Sequence, residues 1–332
     1  MSRYDVYGLG NALVDVEYQV TEIQLQALGV EKGVMTLVEQ AQQQHIITQL
    51  TGKELKKGSG GSAANSIIAV SQFGGSAYYS CRVANDALGH FYVKDLQDAG
   101  VVTNIDSAKQ NEGVTGTCLV FVTPDADRTM YTFLGASAEF SIAQLAPAAI
   151  RDAQYLYIEG YLVTGDSTRN AAIEARSIAR AAQVKTAFSL SDPNMVKFFK
   201  AGLLDMMGGP VDLLFANEAE ALGMADSVDI NQAIVHLKTL AKQFVITRGK
   251  EGAVIYDGQQ LLAIAPHTVK AVDTVGAGDM FAGAYLYGVT QGMSVQQAGD
   301  LAVRASAQLV THFGPRMPSS EVQKILQAFN TH

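Results

Sequence analysis

Toward the C-terminal end of the chain, the stretch VDTVGAGDMFAG at 272–283 sets Gly276, Ala277 and Gly278 directly before a carboxylate, Asp279, and an apolar segment of helical spacing. Small residues let a backbone turn tightly, and successive N–H groups at a helix start converge on one point, where anionic oxygens would sit. Asp279 falls in the first turn of the helix, which keeps it ionised. Two roles suit it there. It can complement the helix dipole, an effect of about 0.3–1 kcal/mol, or it can stand at the mouth of an anion site and take the proton of a hydroxyl that attacks a phosphoryl group. Phosphoryl transfer passes through a loose transition state, so the acceptor needs a placed carboxylate more than a strong base.

Other chemistries fail when their templates are applied literally. GLGNAL at 8–13 has Leu13 where a dinucleotide-binding turn needs its third glycine, and a strand rather than a helix follows it. No G-x-x-x-x-G-K-[ST] occurs, which removes the P-loop. Cys81 and Cys118 lie far apart without Cys or His spacing around them, and the six histidines lack paired spacing, so neither a zinc site nor a disulfide framework is expected. The Met and Phe residues after Asp279 have a packing explanation in their helical spacing.

These groups need a scaffold to hold them. With 332 residues, 48% of them apolar, 17% charged and only 7 Pro, the chain can bury a sizeable core. A net charge of −8 argues against a nucleic-acid or membrane surface, and no apolar run reaches the roughly 18 residues of a membrane span. A cytoplasmic protein is expected. Short apolar runs such as AQYLYIEGYL, VKTAFSL, VDLLFAN and QFVITRG alternate with amphipathic helices, the pattern of an α/β fold with a doubly wound, mostly parallel sheet flanked by helices. Residues 15–21 and 33–38 read as strands without covering helices, and 116–123 with 128–134 form a hairpin about the turn PDAD at 124–127. A core of residues 1–14, 39–115 and 135–332 is therefore expected, with 15–38 and 116–134 in a small β sheet that is either a lid over a cleft or a plain edge extension.

The motif DTVGAGD at 273–279 resembles the D-T-x-G-A-G-D signature of the ribokinase-like (PfkB) carbohydrate kinases, and GGSAANS at 60–66 resembles their G-G-x-x-x-N signature. NEAE at 217–220 is similar to the N-x-x-E motif, and ITRGKEGA at 246–253 to the T-x-G-x-x-G nucleotide loop. The resemblance runs from GNALVD at 10–15 to THFGPRMP at 311–318, and it implies ATP and Mg²⁺. It assigns Asp279 as base, with the Gly276, Ala277 and Gly278 amides on the phosphoryl oxygens. Asn217 and Glu220 would organise Mg²⁺, Glu220 through water, while Thr247, Gly249 and Gly252 line the nucleotide. Asp15 and Asn65 would bind acceptor hydroxyls, beside Asn11 and the backbone of Gly60 and Gly61. Taken singly, Asp15 also fits a strand-end turn, Asn217 and Glu220 a capped helix start, and 246–253 a hairpin.

The resemblance also gives Arg128 a place on the transferred phosphate, as an alternative to a solvated hairpin residue, and Asp273 with 312–314 a monovalent cation, K⁺. The opening YDVYGLGNALVDV and the strand DRTMYTFLGAS are closer to adenosine kinase-like members than to sugar kinases of the family. Met130, Phe133, Leu134 and Tyr161 would then form a slot for the base. The expected reaction is ATP-dependent phosphorylation of the 5′-hydroxyl of adenosine, giving AMP. The same motifs admit ribose, fructose, ketodeoxygluconate, inosine or guanosine as acceptor, and a non-catalytic relative. The expected partner is a small nucleoside or sugar, with a homodimer through the small sheet.

Overall fold

A computed structural model describes residues 3–33, 35–50, 54–105, 112–124 and 128–331, with 54–56 and 128 by backbone alone. Its strands are, in chain order, β1 (Tyr4–Leu9), β2 (Leu13–Gln19), β3 (Met35–Leu37), β4 (Glu54–Gly60), β5 (Ala77–Ser80), β6 (Val102–Thr103), β7 (Thr115–Val122), β8 (Arg128–Gly135), β9 (Ala153–Glu159), β10 (Lys185–Ser189), β11 (Val211–Asn217), β12 (Ala241–Thr247), β13 (Ala253–Tyr256) and β14 (Leu261–Ile264).

The large sheet has the order β14-β13-β12-β11-β10-β9-β1-β5-β6. It is parallel from β12 to β6, and antiparallel β13 and β14 finish the other edge. Its strands are short apolar runs because helices cover both faces; in β11, Val211, Leu213, Leu214, Phe215 and Ala216 are all buried. Two helices matter most for the site, Ser62–Phe73 and Ala277–Thr290. They cross so closely that a Cβ on Gly283 would lie 2.4 Å from the Ser66 carbonyl oxygen, which brings their N-terminal turns together.

The small sheet has the order β3-β8-β7-β2-β4. β7 and β8 form the expected antiparallel hairpin, while β2 with β7 and β3 with β8 run parallel. Residues 125–127 of the expected turn lie outside the described residues. The structure adds an element where only core was expected: β4, inside 39–115, pairs antiparallel with β2. Its sequence, ELKKGSG, is polar and glycine-rich and lacks apolar alternation, so only the open edge of β2 makes it a strand. The helix Gln40–Gln49 from the same stretch packs on this sheet, its buried Gln43 donating Nε2–H to the Thr117 carbonyl at 3.0 Å and the Tyr131 carbonyl at 3.1 Å.

Candidate active site

Ligands of open α/β sheets bind beyond the carboxyl ends of the strands, and the chemistry-bearing residues gather at that edge. Asn11 follows β1, Glu159 ends β9, Asn217 ends β11 and Thr247 ends β12. Between them and the small sheet lies a cavity of about 460 Å³, lined by Asn11, Asp15, Gly61, Ser62, Asn65, Asn217, Glu220, Gly276, Ala277, Gly278 and Asp279 among others. A second cavity of about 360 Å³ is lined by Thr247, Gly249, Gly252, Pro266, Val269, Val303 and Val310. Thr247, Thr274, Ala277, Gly278 and Phe281 border both, so the GAG turn stands at their junction.

Gly276 caps the helix at φ +77°, a conformation that favours glycine. Of the expected amides of Gly276, Ala277 and Gly278, that of Ala277 is taken up inside the turn. The Ala277 N–H turns back to the Thr274 carbonyl at 3.2 Å, and the first bond along the helix runs from Met280 N–H to the Gly276 carbonyl at 2.8 Å. The amides of Gly278 and Asp279 fall between these and open the helix.

Asp279 is held by two donors one helical turn apart. Ser62 Oγ donates to Oδ1 at 2.6 Å and Asn65 Nδ2 donates to Oδ2 at 3.0 Å. Burial pushes the carboxyl up to about 6, against the opposing effect of those hydrogen bonds. Desolvation thus raises the carboxyl, yet at about 6 it is still largely ionised near neutral pH. Ser62 has no assigned role from sequence, although its i,i+3 spacing from Asn65 is the signal that would place it. Asn65 Oδ1 has no partner among the described residues and is buried.

Glu159 is also new. It is fully buried at the end of a mostly apolar strand, with Oε1 accepting Asn11 N–H at 2.6 Å and Oε2 accepting Ala63 N–H at 2.7 Å. Burial pushes it up to about 7, the two amides oppose that, and nearby Asp279 adds to it. A lone carboxylate at the carboxyl end of a parallel strand is the sequence signal for such a residue. Together, these bonds tie the loop carrying Asn11 to the helix that carries Ser62 and Asn65.

On the small sheet, Gly58, Asp15, Cys118, Thr132 and Leu37 stand in one cross-strand row. Gly60 is needed beside it, since a Cβ there would fall 2.3 Å from the Asp15 carboxylate oxygens. Met130, Thr132 and Leu134 line the cavity from alternate positions of β8. Phe133 therefore belongs to the opposite face, which removes it from the expected base slot. Tyr161 and Met195 line the facing wall with Asp192 and Ser189. The Arg128 backbone opens β8, and its side chain lies outside the description.

Asn217 and Glu220 form a reciprocal cap. Asn217 Oδ1 accepts Glu220 N–H at 2.8 Å, while Asn217 N–H and Nδ2–H donate to the Glu220 carboxylate at 2.9 and 2.7 Å. The capped-helix alternative is thus structurally present, and both residues still line the cavity. Burial pushes Glu220 up to about 7, with Asp192 nearby adding to the effect. One carboxylate and one amide oxygen suit a hard Mg²⁺ ion whose other ligands are waters and phosphates. No cluster of three or more His, Cys, Asp or Glu exists among the described residues to cage a metal by itself. Asp273 accepts Val275 N–H at 3.1 Å and Gly314 N–H at 2.6 Å, so its carboxylate organises the loops behind the GAG turn.

A base with this environment makes the rate depend on pH. Acceptor kcat/KM is expected to fall about tenfold per pH unit below about 6 as Asp279 gains its proton. Initial rates at saturating ATP and Mg²⁺ across about pH 5 to 9 measure this, and a flat acid limb would remove Asp279 as the base.

The pfkB family carbohydrate kinase profile matches residues 35–322. The chain is 26% identical to adenosine kinase of Saccharomyces cerevisiae, over 95% of this chain and 97% of that one. Among solved structures it resembles adenosine kinase from Sinorhizobium meliloti, at 31% identity and a TM-score of 0.91, covering 98% of this chain and 100% of the other. A probable sugar kinase from Rhizobium etli CFN 42 is equally similar, at 31% identity and a TM-score of 0.91 over 99% of both chains. With the profile spanning most of its length and both sheets shared with such kinases, the chain belongs to the PfkB family, whose members phosphorylate hydroxyl groups of sugars or nucleosides.

Proposed function

We propose that the protein transfers the γ-phosphoryl group of ATP to the 5′-hydroxyl of adenosine, giving AMP and ADP. The observation that carries the transfer step is Asp279, held between Ser62 and Asn65 in the first cavity, next to the turn that borders both. The acceptor oxygen attacks the γ-phosphorus as the bond to the β-phosphate oxygen breaks, and the hydroxyl proton passes to the Asp279 carboxylate. The Gly278 and Asp279 amides face the charge on the phosphoryl oxygens. Asp15 accepts ring hydroxyls, and the orphaned Asn65 Oδ1 is the kind of acceptor that a bound hydroxyl satisfies. Asn217 and Glu220 would hold Mg²⁺, which supplies charge neutralisation at the phosphates when bound. The small sheet acts as a lid that keeps water from the reacting phosphorus.

Adenosine is favoured by the wall opposite Tyr161. Met35, Leu37, Met130 and Leu134 all line the acceptor cavity, and a purine ring covers such a wall with far more apolar surface than the C–H groups of a free sugar do. The adenosine kinases among the similar proteins support the same reading. In a panel of adenosine, inosine, guanosine, ribose, fructose and ketodeoxygluconate with ATP and Mg²⁺, read by ADP release, adenosine is expected to exceed any free sugar in kcat/KM by about tenfold or more, since base contacts contribute about 1–3 kcal/mol. Higher efficiency on a free sugar would overturn adenosine as acceptor and leave the transfer step in place.

A further inference from the structure

The loop at 314–316 touches both halves of the site. Toward the phosphate side, Gly314 N–H binds Asp273, and Pro315 backs the GAG turn so closely that a Cβ on Gly276 would lie 2.6 Å from its Cα. Toward the small sheet, Arg316 Nη2 donates to Asp95 Oδ2 at 2.8 Å, the same oxygen that accepts the Ser59 hydroxyl. Ser59 lies in β4, and β4 pairs with β2 so that its neighbour Gly58 faces Asp15. The guanidinium rests against that strand, with Nη2 3.5 Å from where a Gly58 Cβ would be. Its side chain is 17% exposed and that of Asp95 32%.

We propose that Arg316 and Asp95 are a positioning pair that sets the distance between the acceptor carboxylate Asp15 and the phosphate-binding turn at Gly276. The inference rests on the acceptor and phosphoryl roles given above to those two residues. An exposed ion pair by itself contributes little, but this one joins three elements: the helix Ala87–Asp98, the strand beside Asp15 and the loop behind Gly276. The planar guanidinium bonds Asp95 with Nη2 close to Gly58 of β4, so the register of strand and loop is fixed by one rigid group. Losing it lets the acceptor shift relative to the phosphoryl group, and displacements of about 1 Å in such sites cost up to about 10²-fold in rate. Neither Arg316 nor Asp95 lines the second cavity, so ATP binding there is expected to change little.

Steady-state kinetics of Arg316→Met, Asp95→Asn, the double variant and Arg316→Lys test this, with ATP, Mg²⁺ and whichever panel acceptor the wild-type protein uses best. Each single variant is expected to raise acceptor KM and lower kcat, by about 10–10²-fold together, with the KM for ATP within about twofold. The double variant should be no worse than the worse single one, because coupled partners are not additive, and Arg316→Lys, which keeps the charge but not the planar group, should recover only a minor part of the loss. Additive losses, or a lower thermal midpoint with unchanged KM and kcat, would overturn the pair as a positioning device. Use of a free sugar in place of adenosine would instead strike the nucleoside reading alone, and the same four comparisons on that sugar decide the role of Arg316.

Discussion

Asp279→Asn is expected to lower turnover by about 10² to 10⁴-fold, the span of a positioned acid or base, with ATP affinity and thermal midpoint nearly unchanged. The fold should tolerate the change. The Asn oxygen can still accept the Ser62 hydroxyl that Asp279 Oδ1 now accepts. Its NH₂ would face the Asn65 NH₂, but Asn65 carries an unpartnered Oδ1 that a rotation of the amide brings into register. A half-buried carboxylate, already pushed up to about 6, is replaced by a neutral group of the same shape. What disappears is the capacity to take a proton. Turnover with both substrates saturating, and ATP binding by calorimetry, separate the two effects. An Asn variant with wild-type turnover would leave Asp279 as a helix-start residue only.

Gly276→Ala should produce the second large loss. At φ +77° an alanine is strained by about 1–3 kcal/mol, and its Cβ would lie 2.6 Å from both the Cα and the carbonyl oxygen of Pro315. These are backbone atoms, so no side chain can turn aside and the turn itself must move. Because the amides of Gly278 and Asp279 follow directly, turnover is expected to fall by about 10²-fold along with a lower thermal midpoint. Gly278→Ala is the comparison, since nothing lies within 4 Å of an added Cβ there, and its thermal midpoint should match the wild type. If Gly276→Ala folded and turned over normally, the turn would not be held by the 314–316 loop.

How much of this could be read from sequence depended on whether a residue acts through a short motif or across the fold. DTVGAGD and GGSAANS carry their own geometry, a tight turn feeding a helix start, and the two helices place Asp279 against Asn65. The large sheet was legible for a similar reason, because strands covered on both faces must be continuously apolar. β4 was not, since ELKKGSG has no apolar face and is a strand only where β2 offers an edge. Phe133 was misplaced because an aromatic residue near a cleft says nothing about strand phase; Met130, Thr132 and Leu134 fix that phase together. Ser62, Glu159 and Arg316 act on residues up to hundreds of positions away, and no local spacing announces such partners.

The position of β1 bears on how the chain is made. Although first in sequence, it lies inside the large sheet between β5 and β9, and its pairing with β9 joins Tyr4 to Ala153. A nascent chain therefore leaves the ribosome with one side of its first apolar strand unpaired, and that edge stays open until residues 153–159 emerge. Synthesis at about 5–20 residues per second makes this a delay of roughly 7 to 30 s. During that interval the N-terminal segment is a ready template for another strand, and β9 is what closes it.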